Sequence, residues 1–239
     1  VRVFGRLEQI GAAGFSLVSA DRRDGRVGAM PPARLRPTAP IAAGAILVGD
    51  PGRALMLAQE LLVQPKMSNH ARGLWGYSGV TAAGAELTIQ STGMGGPSAA
   101  VVLSDLAELG VRRAIRIGTC TSLGDRKLGD LMIVTEARAQ DGRVALPDRE
   151  LTVALEEALG EARGGAVASL DVLHRPGAET PPADVADMQT AALLATAAEL
   201  EVEAGALLIV STSSEGNHLP DGEVEAVAKR AGTAALTQV

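Results

Sequence analysis

From residue 45 onward, short apolar runs alternate with segments whose apolar residues recur every three or four positions. The runs cover 45–48, 87–90, 114–117, 131–135, 166–170 and 204–210. Several are β-branched and apolar at nearly every position, which predicts strands covered on both faces. Between them the spacing predicts helices over 53–62, 97–109, 149–162, 183–200 and 222–236. In the fourth, Val185, Met188, Ala192 and Ala195 fall at helical spacing, and Pro97 suits the first turn of the second. Strand–helix alternation predicts an α/β protein, a single domain with a mixed central β-sheet flanked by helices. The proline-rich stretches 31–40 and 175–183 read as loops inside that domain, and no internal repeat is present. Residues 1–29 are either an N-terminal extension ahead of Met30 or an ordinary N-terminal hairpin, which leaves 30–239 as the domain.

Composition narrows the chemistry. Aromatic residues make up only 2% of the 239 positions, so the core has to be built from Ala, Val, Leu and Ile. A net charge of −6 gives no broad basic field for nucleic acid, although a local arginine cluster can still hold a small anion. Cys120 is the one cysteine, which excludes an intrachain disulfide and fits a reducing, cytoplasmic compartment. It reads as a small buried residue, since no His or Asn partner lies near it in sequence. No apolar run approaches the roughly 18–20 residues of a membrane span, and no signal-peptide pattern opens the chain. His70, His174 and His218 lack metal-ligand spacing, so no metal is expected.

Three strand ends carry residues suited to an anion. Gly49-Asp50-Pro51-Gly52-Arg53 follows the first run. Ser91-Thr92-Gly93-Met94-Gly95-Gly96-Pro97-Ser98 joins the second run to a helix, and Arg116-Ile117-Gly118-Thr119-Cys120 closes the third. Glycine lets the backbone approach a ligand, unpaired N–H groups at a helix start favour negative charge, and guanidinium matches phosphate oxygens. One such turn is ordinary geometry, and an arginine in a strand can simply pair with a carboxylate. Three turns, two with arginines, point to a small anionic ligand at the carboxyl ends of the strands.

Taken in order, these motifs resemble the nucleoside phosphorylases of the purine and uridine phosphorylase type, from about Gly44 to the C-terminus. Ser91 through Asp105 resembles the family's signature stretch, Met188-Gln189-Thr190-Ala191-Ala192 its ribose motif, and Ile209-Val210-Ser211 its final strand. The resemblance implies phosphorolytic cleavage of a nucleoside's glycosidic bond, giving ribose 1-phosphate and free base. Inorganic phosphate is then the co-substrate and no cofactor is needed. It implies that Gly49, Arg53, Arg116 and Thr119 hold phosphate. Arg72, in Arg72-Gly73-Leu74-Trp75-Gly76-Tyr77, would reach a neighbouring subunit's phosphate in a homodimer or homohexamer. Met94, Met188 and Gln189 would contact the ribose, and Leu173 and His174 would stand in the base pocket. Trp75 and Tyr77 fit an interface.

The chain departs from the family pattern at three places. Thr212 stands where purine-cleaving members carry a proton-donating aspartate, and Gln189 stands for their ribose-binding glutamate. A hydroxyl donates a hydrogen bond but is not an acid near neutral pH. Asp221, Glu215, His174 and His218 are the other candidate proton sources. Pro176-Gly177-Ala178-Glu179-Thr180 occupies the place of the uracil-gripping Gln-x-Arg pair, which favours purine over uridine. The alternatives are uridine phosphorolysis, hydrolysis by a nucleosidase, and binding without catalysis.

Overall fold

The computed structural model describes residues 34–173 and 180–239. The segment 1–29 and the base-pocket candidate His174 lie outside those residues. The elements, in order, are β1 (Gly44–Val48), α1 (Pro51–Leu61), β2 (Val63–Asn69), β3 (Gly76–Val80), β4 (Glu86–Ser91), α2 (Gly96–Glu108) and β5 (Arg113–Ser122). After these come β6 (Leu131–Ala139), β7 (Val144–Ala145), α3 (Arg149–Leu159), β8 (Arg163–Ser169), β9 (Val185–Asp187), α4 (Thr190–Glu199), β10 (Glu203–Thr212) and α5 (Asp221–Leu236).

All ten strands join one mixed sheet. β1 lies between β4 and β5, parallel to both, and β10 runs parallel to β5 on its other side. β10 then pairs antiparallel with β6, β6 parallel with β8 and β8 parallel with β9, and β9 returns antiparallel to β5. Those five strands therefore close into a ring, and β1, β4, β3 and β2 extend from it as an open wing.

Continuous apolar strands make sense here because both faces are covered. Ala45 and Leu47 of β1 join a core layer with Val102, Leu103 and Leu106 of α2 and Leu193 and Leu194 of α4. Ile46 and Val48 point into a second layer with Leu57 of α1, Leu155 of α3 and Ala228 and Ala231 of α5. On β5, Ile115 and Ile117 belong to that second layer. Arg116 between them, also buried, is thereby turned toward the α2 and α4 side.

The helix read over 183–200 is a strand followed by a helix. Val185 and Ala186 pair with both β5 and β8, and the helix begins only at Thr190. The carboxylate of Asp187 accepts the N–H groups of Gln189 and Thr190, which starts the helix there. β2 and β3 fall where no apolar run predicts a strand. β2 is a largely exposed edge strand containing Pro65, and both lack a continuous apolar run. The described part of the 31–40 loop has no regular element, and among the described residues no helix is long and apolar enough to cross a membrane.

One buried carboxylate fastens the start of the described chain. Asp105 of α2 accepts the backbone N–H groups of Arg34 and Leu35, each at 2.8 Å. Leu35 joins the core beside it. Asp105→Ala leaves both donors without that acceptor. It should destabilise the protein by about 1–3 kcal/mol, read as a lower urea midpoint at unchanged slope; an unmoved midpoint would refute the anchoring role.

Candidate active site

The sheet register gathers the glycine turns. Val48 pairs with Ser91 on one side and Ile117 on the other, so Gly49 and Thr92 leave the sheet abreast of Gly118. The stretch Arg116–Cys120, expected to close its strand, instead lies inside β5, which runs on to Ser122 because Gly118, Thr119 and Cys120 still pair with β10. The Val48 carbonyl accepts both the backbone N–H and the hydroxyl of Thr92, which ties the first two turns together. A Cβ on Gly49 would lie 3.5 Å from the Gly93 carbonyl oxygen and 3.7 Å from Gln189 Oε1. Gly93 and Gly95 both take positive φ, which lets the chain fold back sharply before α2.

At the centre stands Arg116, 3% exposed. Its Nη2 donates to Asp187 Oδ2 at 2.9 Å, its Nη1 to Gln189 Oε1 at 2.7 Å and its Nε to Thr190 Oγ1 at 3.0 Å. Asp187, 1% exposed, also accepts from the hydroxyls of Thr190 at 2.6 Å and Ser169 at 2.5 Å. Gly118 makes the packing possible, since a Cβ there would sit 2.5 Å from Arg116 Nη2 and 2.9 Å from Leu208 Cδ2. Three of the five guanidinium N–H donors are thus spent inside the protein, leaving two.

Arg53 rises from the first turns of α1, half-buried. Burial pulls its guanidinium below the ordinary arginine value, with Asp50 opposing and the charge of Arg116 adding to the depression. Glu225 and Asp221 of α5 oppose that depression as well. The α2 N-terminus borders the same turn and has no side-chain cap, so its donors add to the positive character. The α1 and α4 termini are already capped, by Asp50 and by Asp187 with Ser169.

The remaining sequence-selected residues sit around this centre. Thr119 is half-buried on β5 and pairs with Ile209 of β10. Met188, half-buried, directly precedes Gln189, whereas Met94 stands 85% exposed on the Gly93–Gly95 turn. Leu173 is half-buried at the end of the described segment. Arg72 lies exposed in a short 3₁₀ turn with φ 60°, a left-handed conformation uncommon outside glycine. That turn is pinned by the Asn69 amide on the Leu74 carbonyl and by Gln90 Nε2 on the same carbonyl at 2.9 Å. Thr212 ends β10, across from Thr121, with its Oγ1 3.2 Å from His218 Nδ1. The structure brings Gly49, Arg116 and Gln189 together and sets Arg53 on the adjoining helix α1, while Arg72 stands in the β2–β3 connection and Thr212 at the end of β10. Burial pushes the Cys120 thiol up, as does Asp187, so it stays protonated. Among the described residues no acidic, His or Cys cluster suits a metal ion.

Asp187, Thr190, Ser169 and Thr92 were not singled out from sequence. The available signal was Asp187 three positions ahead of Thr190, an acidic residue placed to start a helix. It was overridden by the apolar spacing of Val185 and Met188.

A sequence model of the phosphorylase superfamily matches residues 44–238. The chain belongs to the phosphorylase superfamily. This superfamily member is 30% identical over 217 residues to a DeoD-type purine nucleoside phosphorylase of Clostridium beijerinckii, covering 81% of this chain and 89% of that one. It is also 30% identical over 205 residues to a DeoD-type 2 purine nucleoside phosphorylase of Vibrio vulnificus, covering 74% and 82%. In fold it resembles a purine nucleoside phosphorylase from Toxoplasma gondii, with a TM-score of 0.73 at 23% identity over 83% of this chain and 91% of that one. A uridine phosphorylase from Vibrio fischeri gives the same TM-score of 0.73 at 20% identity, over 83% and 91%. The mixed α/β sheet expected from the motifs is the superfamily's fold.

Within this superfamily member, Asp187→Ala would leave the buried Arg116 charge without its counter-ion. Unfolding free energy should fall by about 3–5 kcal/mol, measured by denaturant titration. A loss no larger than that of an exposed ion-pair variant such as Asp141→Ala would refute the central role of the pair.

Proposed function

We propose that this chain is a cytosolic nucleoside phosphorylase, cleaving the N-glycosidic bond of a purine-type nucleoside with inorganic phosphate. The observation that carries the reading is the match to the phosphorylase superfamily over residues 44–238, supported by the buried Arg116 beside the end of β1, Arg53 on the adjoining helix α1 and the uncapped start of α2. Gly49 and Thr119 are the neighbouring groups assigned to the same phosphate, and no metal or other cofactor is invoked.

The reaction makes a bond from a phosphate oxygen to C1′ of the sugar and breaks the bond from C1′ to the base nitrogen. The breaking bond's electron pair leaves with the base, and C1′ gains cationic character that the held phosphate stabilises. Met188, Gln189 and the exposed thioether of Met94 are assigned to the sugar side, Leu173 and His174 to the base side. The departing base needs a proton or a strong hydrogen bond. Thr212 is assigned that contact, and His218, 3.2 Å from its hydroxyl, is the titratable group able to supply the proton. Arg72, presented on a rigid left-handed turn, is assigned to a neighbouring subunit's phosphate in a homodimer or homohexamer.

Uridine phosphorolysis differs only in the base, and the loss of the Gln-x-Arg pair weighs against it. A nucleosidase using water needs no phosphate arginines, and both are here. A binder without turnover is favoured by one observation: the Gln189 side chain is fully engaged within the protein.

Incubation with inosine, adenosine and uridine, with and without phosphate, separates these readings. Phosphate-dependent base release, fastest from a purine nucleoside, is expected. Arg116→Ala should lower it by about 10²–10³-fold, the usual effect of removing a preorganised charge at a reacting centre. Base release that ignores phosphate would make the chain a hydrolase, and no release with measurable binding would make it a binder.

A further inference from the structure

We infer that Gln189 is a positioning residue whose amide clamps the Gly93–Gly95 turn onto Arg116, and that a carboxylate at the same position cannot do this. The inference rests on the phosphorylase reading for its consequence in binding, but its geometry stands apart from it.

Gln189 is 3% exposed and sits where three chain segments meet. Its Oε1 accepts from Arg116 Nη1 at 2.7 Å and, 3.3 Å from Thr92 Oγ1, shares that hydroxyl's one proton with the Val48 carbonyl. Its Nε2 donates to the Gly93 carbonyl at 2.7 Å and to the Gly95 carbonyl at 3.3 Å. One edge of the side chain therefore meets only donors and the other only acceptors. An amide is the side-chain group of this length that presents both edges, and the surroundings fix which way round it lies. A glutamate would keep the Arg116 contact and set its second oxygen against two carbonyl oxygens. The shorter asparagine would not span the gap.

The clamp governs how the turn sits. The same Gly95 carbonyl accepts the Ala99 N–H of α2, and Thr92 is held by the Val48 carbonyl next to Gly49. Gln189 itself is the residue before α4. The amide thus fixes the starts of α2 and α4 and the Gly49 turn relative to one guanidinium. The charged groups bonded around it are Arg116 and, through Arg116, Asp187.

The test uses the full chain and its Gln189→Glu and Gln189→Ala variants. Hydrogen–deuterium exchange is followed over the peptide spanning Thr92–Ala99, with α5 as the internal control, and inorganic phosphate is titrated calorimetrically. Loss of the clamp should raise exchange over Thr92–Ala99 by about tenfold or more in both variants, the equivalent of one lost buried hydrogen bond. Protection of α5 should not change. Phosphate affinity should fall in both, and the isosteric glutamate should not rescue what alanine loses. The inference is overturned if Gln189→Glu keeps wild-type protection over Thr92–Ala99, whatever its phosphate affinity. That is the behaviour of a residue that only accepts hydrogen bonds from a sugar. Wild-type protein that binds no phosphate would instead sink the phosphorylase reading, and the exchange data alone would then decide the clamp.

Discussion

A guanidinium packed among aliphatic side chains is tolerable only with its counter-charge and its acceptors in place, and Arg116 is such a group. Asp187 supplies the charge, and Gln189 and Thr190 supply the remaining acceptors. Each of these needs its own support, from Ser169, from Thr92 and from the carbonyls of the Gly93–Gly95 turn. The network therefore draws strands β5, β8 and β9 and the starts of α2 and α4 to one point. Three of the Arg116 donors are spent on this cohesion and two are left over, so one guanidinium serves the packing and still has N–H groups to offer.

The frame around this centre is aliphatic and covered on both faces. In a chain so poor in aromatics, shape is set by many small β-branched and alanine contacts, such as Ala54, Ala58, Ala228 and Ala231 between α1, α5 and the sheet. Gly232 continues that economy, because a Cβ there would lie 2.9 Å from Leu57 Cδ2. Helices packed this closely hold the strand ends in register, and register is what sets Gly49, Thr92 and Gly118 abreast.

Much of the fold was legible because buried parallel strands read as unbroken apolar runs. β1, β4, β5, β6, β8 and β10 are all legible, with ends shifted by a few residues, and so are the glycine turns after β1 and β4; the third, at Gly118, is instead the middle of β5. β2 and β3 are not, since their exposed positions and Pro65 carry no such run. The misplaced start of α4 has a specific cause: Val185 and Met188 match a helical period, while tertiary pairing makes Val185–Asp187 a strand. The arginines and the Gln189 position were legible as residues to watch. Their partnership was not, because Arg116 meets Asp187, Gln189 and Thr190 across more than seventy positions of chain. Thr212 and His218, six positions apart, meet through a tight return of the chain after β10.

The closed ring of five strands leaves β2 as the long free margin of the sheet among the described strands. That margin is poorly suited to being continued by another chain. Pro65 has no N–H to offer, Lys66 carries an exposed charge, Gln64 takes a left-handed φ, and the pairing with β3 slips twice. Any molecule that docks against this wing must therefore engage it through side chains such as Met67 and Trp75, in a face-on arrangement, rather than by lengthening the ladder of backbone hydrogen bonds.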